Sequence, residues 1–194
     1  MTGTSQSERL TAGLLELAEL ARTTATQIGP EIDRAADLVR ATVARRGTLF
    51  FCGNGGSAAD AQHLATEYVV RYMRNRAAYP AIALTTDTSL ITAAGNDLGF
   101  DQIFSRQVEA LARKGDLLII HSTSGNSPNV LHAARAARQL GVPVLAFAAR
   151  DGGALVREAD HTVIVPTDRT DRAQELHLCI EHLICELVER EVIG

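Results

Sequence analysis

His63 and Glu67 stand four residues apart, so on a helix they share one face. An imidazole and a carboxylate held side by side can pass protons or hold a metal ion. Most such pairs are plain surface neighbours. This one follows closely on a glycine-rich loop, Cys52-Gly53-Asn54-Gly55-Gly56-Ser57, which itself follows the apolar run 48–51. A second loop, Ser122-Thr123-Ser124-Gly125-Asn126-Ser127, follows the apolar run 117–120. Glycines let a backbone approach closely, helix N-termini favour negative charge, and hydroxyls donate to phosphate oxygens. One such loop is an ordinary turn. Two at matching strand ends suit a ligand with a phosphate and many hydroxyls, a phosphosugar.

The last helical stretch adds Asp171, Gln174, Glu175, His177, Glu181 and His182. At about 100° per residue, Gln174 and Glu181 fall nearly in line while His182 is displaced by about 80° from Gln174. Spacing does not choose among them. A solvated polar face accounts for Glu175 or Glu181 as well as catalysis accounts for His182.

Positioning these groups requires a scaffold, and the chain reads as one. From Gly47 onward, apolar runs at 48–51, 81–84, 117–120, 142–147 and 162–165 alternate with helical patterns at 57–74, 88–94, 101–113, 128–140, 154–158 and 171–191. The runs are apolar on both faces, as strands of a covered parallel sheet must be. The alternation predicts an α/β fold with a doubly wound five-stranded parallel sheet, whose ligand site lies at the strands' carboxyl ends. Residues 1–46 form an N-terminal helical extension and 47–194 the α/β domain. The extension reads as two helices broken near Gly29-Pro30, with Leu10, Leu14, Leu17 and Leu20 on one face of the first and Ile32, Ala36, Val39 and Val43 on the second. They pack on the body or on another subunit.

Composition is that of an ordinary globular domain: 46% apolar and 22% charged over 194 residues, with a net charge of −4. With no cluster of basic residues and no Trp, nucleic acid is not an expected partner. No apolar run reaches membrane-spanning length and Met1–Ser5 do not begin a signal sequence, so the expectation is a cytoplasmic protein with no membrane partner. Cys52, Cys179 and Cys185 form no C-x-x-C pair and read as small buried core residues. Gly53 to Ala58 fits G-x-G-x-x-A, yet no acidic residue ends the next strand at dinucleotide-binding spacing, and no Gly-Lys-Ser/Thr marks a P-loop.

At these residues the chain resembles the phosphoheptose isomerases, proteins of the sugar-isomerase (SIS) domain family with a flavodoxin-like fold. The resemblance rests on the run from Cys52 through His63 to Glu67, Asn75-Arg76, Tyr79-Pro80-Ala81-Ile82-Ala83-Leu84, Gly95-Asn96-Asp97, Phe104-Ser105-Arg106-Gln107-Val108, Ser122 to Ser127, and Asp171 to His177 with His182. It implies a homotetramer, with active sites at subunit interfaces, converting sedoheptulose 7-phosphate to D-glycero-D-manno-heptose 7-phosphate. By position it implies that Ser57, Ser122, Thr123, Ser124 and Ser127 hold the phosphate. Asn54, Gly55, Gly56, Asn96 and Asp97 would contact the sugar chain, and Asp171 and Gln174 the substrate. His63, Glu67, Gln174 and His182 match zinc positions, one ion per site, and Glu67 and His182 an acid-base pair. A carboxylate bound tightly to zinc is a weakened base, and a glutamine oxygen is an uncommon zinc donor. A non-catalytic SIS relative that binds the replication initiator as a tetrameric scaffold is the alternative; it does not supply the same acid-base pair. His121 departs from the family's usual small or apolar residue and reads as a satisfied histidine at a strand end.

Overall fold

The structure is a computed structural model and describes residues 5–193. Among these, β1 (Leu49–Gly53), β2 (Ala81–Ala83), β3 (Leu117–His121), β4 (Val144–Ala149) and β5 (His161–Val165) form one parallel sheet in the order β2-β1-β3-β4-β5. The three central strands are buried throughout. The edges are not: Ile82 of β2 is 41% exposed and β5 is only partly covered, so burial of both faces holds for the middle of the sheet alone.

Register sets the site. Gly53 pairs with His121, and His121 with Phe147, so the two hydroxyl-rich loops leave the sheet at one level. Successive residues of each strand point to opposite faces, and two cores result. Phe51, Ile119 and Phe147 pack beneath α2 (Gly29–Ala44), α3 (Gly56–Val69) and α8 (Thr170–Ile193), with Val39, Leu64, Ile180 and Ile184. Phe50, Cys52 and Ile120 face α4 (Thr88–Asp97), α5 (Ser105–Leu111), α6 (Pro128–Gln139) and α7 (Leu155–Glu158), with Phe104, Val130 and Ala133. Each fully buried Phe, Leu or Ile contributes about 1.5–3 kcal/mol relative to exposure.

The extension breaks where expected: α1 (Gln6–Gln27) gives way to α2 with a proline in its first turn. Residues Ala35, Ala36, Val39 and Val43 bury α2 against the body. The expected stripe of α1 divides, because Leu17 and Leu20 reach the core while Leu10 and Leu14 are 65% and 70% exposed.

Two helices stop early. A 3-10 turn at Phe100–Gln102 takes the front of the stretch expected at 101–113, leaving only Ser105–Leu111 helical. The helix expected to reach residue 74 ends at Val69. Arg76 donates to the terminal carbonyls of Glu67 (2.5 Å) and Tyr68 (2.8 Å), and Glu189 of α8 accepts from the backbone of Tyr72, Met73 and Arg74. These long-range partners satisfy the groups another helical turn would have used. One cysteine also differs from expectation: Cys52 and Cys185 are buried, but Cys179 is exposed on the outer face of α8. Among the described residues no helix is long and apolar enough to cross a membrane.

Candidate active site at the strand ends

A cavity of about 430 Å³ opens above β1 and β3, lined by Asn54, Gly55, Gly56, Ser57, Ser122, Thr123, Ser124, Ser127, Thr170 and Gln174, with His121 at its base. Helices α3, α6 and α8 all begin at this cavity, and α3 and α6 begin without a side-chain cap. The first N–H groups of α3, and those of α6 after Pro128, therefore have no side-chain cap and can meet an anion, which the helix dipoles favour. Among the described residues no Lys or Arg lines the cavity. It offers backbone N–H groups and hydroxyls as donors.

Two glycines are dictated by this geometry. Gly55 caps α3 at φ 57°, ψ −123°, a conformation open essentially to glycine. A Cβ on Gly56 would fall 2.7–2.9 Å from the Gln174 amide, so only glycine lets Gln174 lean across the loop, where its Nε2 donates to Ser57 Oγ at 3.3 Å. Asn54 and Asn129 exchange amide hydrogen bonds of 2.9 and 2.8 Å, which ties the first loop to the start of α6.

Further along α3 and α8, three more side chains converge. His63 Nε2 lies 2.8 Å from His182 Nε2 and 3.4 Å from Glu67 Oε1, and the donor atoms of all three lie within 4.8 Å of one another. Two imidazole nitrogens so close need a proton or a cation between them. Burial, then the neighbouring His63, hold the His182 pKa below the ordinary histidine value, against the pull of Glu67. A neutral imidazole is what a metal or a departing proton requires. Two histidine nitrogens and a carboxylate oxygen are a fitting donor set for a divalent cation such as zinc. Gln174, the fourth residue matched to the metal, engages Ser57 at the anion cavity.

A buried polar layer lies between the cavity and the core. His121 Nε2 and Glu181 Oε2 are 2.5 Å apart, and both residues are enclosed. Glu181 is thus no part of a solvated face; a partner from β3, outside its own helix, accounts for its burial. Burial lowers the His121 pKa, but the charge and hydrogen bond of Glu181 outweigh it and the net shift is upward. Burial likewise raises Glu181, so the pair holds one proton firmly. His121 Nδ1 and Asp60 Oδ2 are buried without protein partners, so His121 is only half satisfied. His177 Nε2 donates to the Ala148 carbonyl at 2.9 Å. Burial pushes its pKa down to about 3, with the nearby His121 acting the same way.

Not every expected residue lies here. Asn96 and Asp97 are exposed at the end of α4, bonded to each other at 2.7 Å, and do not line the cavity. Asp171 is exposed and paired with Arg169, whose hydrogen bond holds its carboxyl below the usual range. Sequence reasoning missed Tyr72, whose ring stacks on His182 at 5.2 Å and 18°. No local pattern announces it, since Tyr72 lies beyond the end of α3 and meets His182 only through the fold.

Parallel strands, three converging helix starts and a shared imidazole–carboxylate cluster define an anion-binding α/β protein with its site at the strand ends. The family model described as SIS domain matches residues 15–149. The chain belongs to the SIS domain family and, within it, to the phosphoheptose isomerases. It is 46% identical over 188 residues to a phosphoheptose isomerase of Akkermansia muciniphila, an alignment spanning 97% of this chain and 99% of that protein. The solved phosphoheptose isomerase GmhA from Neisseria gonorrhoeae superposes with a TM-score of 0.89 at 41% identity, over 96% of this chain and 100% of that one. A phosphoheptose isomerase structure from Francisella tularensis gives 0.92 at 34% identity, over 97% and 100%.

Proposed function

We propose that this chain is an aldose–ketose isomerase that converts sedoheptulose 7-phosphate to D-glycero-D-manno-heptose 7-phosphate, the entry to nucleotide-activated heptoses. The observation that carries this reading is that α3 and α8 both start at the anion cavity and both deliver side chains to the His63–Glu67–His182 cluster. His63 and Glu67 follow Ser57 by about 9 and 15 Å along the helix axis, and helical side chains lean back toward the N-terminus. That span suits a long sugar phosphate bound in extended form.

The phosphate sits against the N–H groups at the starts of α3 and α6 and the hydroxyls of Ser57, Ser122, Thr123, Ser124 and Ser127. Asn54, Gly55, Gly56 and Gln174, which line the cavity, meet the sugar. Glu67 takes the proton from C1 of the open-chain ketose, next to the C2 carbonyl, and returns it to C2 of the enediol. His182 carries the accompanying proton between the C1 and C2 oxygens. His63, Glu67 and His182, with Gln174 as the expected fourth ligand, would hold a zinc ion, which would polarise the carbonyl. The shared cluster supports this catalytic reading over a non-catalytic scaffold.

Residues 1–46 serve assembly and 47–194 form the catalytic domain of a cytoplasmic homotetramer whose sites lie at subunit interfaces. Support comes from exposed apolar side chains in two places: Leu10, Leu14 and Leu15 on α1, and Val70, Met73 and Leu183 close in sequence to Tyr72 and His182. Incubating the purified protein with sedoheptulose 7-phosphate and separating the isomeric heptose phosphates tests the activity. Unchanged ketose with metal-loaded protein would refute it.

A further inference from the structure

His182 reaches its place between two other rings. Tyr72 lies nearly parallel to it at 5.2 Å and 18°, and His63 meets it edge-on at 5.0 Å and 68°. The terminal torsion of a histidine is broad and roughly two-fold, so an imidazole on a helix face can turn its Nε2 away unless something bears on its plane. Tyr72 is what bears on it.

Tyr72 follows the end of α3, where helical structure no longer places it. A buried ion pair does so instead. Glu189 of α8 accepts from the backbone N–H of Tyr72 (2.8 Å, Oε1), Met73 (2.9 Å, Oε2) and Arg74 (3.0 Å, Oε2), and from Arg76 Nε (2.7 Å, Oε1). Both side chains are 1% exposed. The same Arg76 guanidinium binds the carbonyls of Glu67 and Tyr68 at the end of α3. One ion pair therefore joins the helix of His63 and Glu67, the helix of His182, and the turn between them that carries Tyr72. Buried ion pairs seldom stabilise more than a well-packed apolar pair would. What an apolar pair cannot do is gather three consecutive N–H groups and two helix-end carbonyls around one point. The arrangement specifies position.

We propose that Tyr72 is a positioning residue for His182, a plate that fixes the imidazole plane so that Nε2 faces His63 and Glu67, with the Glu189–Arg76 pair holding the plate. The inference rests on the isomerase reading above for its kinetic consequence, but its cation-binding consequence stands apart from it.

Full-length Tyr72→Leu and Tyr72→Phe proteins are compared with the parent. Tyr72 is half-buried at the edge of the core, where leucine and phenylalanine both keep apolar contact. Zn²⁺ affinity is read by competition with a chromophoric chelator, and kcat and KM with sedoheptulose 7-phosphate. Loss of the ring should weaken Zn²⁺ binding and lower kcat by about tenfold each, with KM within about twofold, the size usual for groups that orient a metal ligand. Phenylalanine keeps the ring and should restore both, and the thermal midpoints of all three proteins should coincide. The inference is overturned if Tyr72→Leu binds Zn²⁺ as the parent does, if Tyr72→Phe fails alongside it, or if the parent takes up no Zn²⁺. A parent that binds Zn²⁺ but leaves the ketose unchanged sinks the isomerase reading instead, and the Leu–Phe difference in Zn²⁺ affinity still decides the role of the ring.

Discussion

His63 Nε2 and His182 Nε2 lie 2.8 Å apart although 119 residues separate them in the chain. The contact exists because α3 and α8 start at one anion cavity and run along the same face of the sheet. At that distance the two nitrogens share either one proton, as a hydrogen bond between neutral rings, or a cation, and the Glu67 carboxylate beside them suits a cation. Replacing His63 with Ala should therefore cost Zn²⁺ affinity at least about tenfold, as measured by equilibrium dialysis with metal analysis.

Glu67 tests the proton-transfer role separately. Its side chain is 17% exposed and faces His63. Glu67→Gln keeps size and hydrogen bonding but cannot accept a proton from carbon. Turnover should fall by about 10²–10⁴-fold, while the protein still binds sedoheptulose 7-phosphate by calorimetry. Substantial remaining activity would remove Glu67 from the base role.

Gly55 and Gly56 are adjacent but should fail differently. Alanine at Gly55 meets no neighbour yet must adopt φ 57° with ψ −123°, a strain of about 1–3 kcal/mol, which should appear as a lower denaturation midpoint. Alanine at Gly56 displaces the Gln174 amide, the movable end of a side chain. Its effect should fall on KM, with stability nearly unchanged. Equal stability losses in both variants would contradict this division.

How far the sequence foretells this site depends on whether the cause is local. The apolar runs and the glycine–hydroxyl loops are local, and strand register then brings Gly53 level with His121. The His63–Glu67 pair is legible from helical spacing alone. Its third member, His182, is not, because the helix offers several polar residues and only contact with α3 selects one. The burial of Glu181 and the early end of α3 are missed for the same reason. Each is decided by a partner far away in sequence, His121 in one case and Glu189 with Arg76 in the other. Cys179 shows the converse, since an apolar residue type says nothing about which side of a helix faces water.

The buried His121–Glu181 pair predicts strong non-additivity. His121→Leu leaves an enclosed carboxyl without its partner and should destabilise the protein by about 3–5 kcal/mol, and Glu181→Leu by a similar amount. The double replacement removes both polar groups and should recover most of that loss in urea titrations, because apolar packing then replaces the pair. Additive losses would mean that the two side chains do not stabilise one another.

His177 supplies a pH dependence of known sign. Its folded pKa is near 3 because burial, helped by the nearby His121, outweighs the hydrogen bond to the Ala148 carbonyl, which acts the other way, whereas an unfolded histidine titrates near 6.5. Between those values the unfolded chain binds a proton that the folded chain refuses, so stability rises with pH across this window. The contribution is complete above about 6.5 and declines as the pH falls toward 3. His177→Asn cannot take up the proton in either state. Urea midpoints at pH 7.5, 6 and 5 should therefore fall less steeply for His177→Asn than for the parent protein. Identical slopes would show that His177 is protonated in the folded state and that the enclosure around Ala148 admits charge.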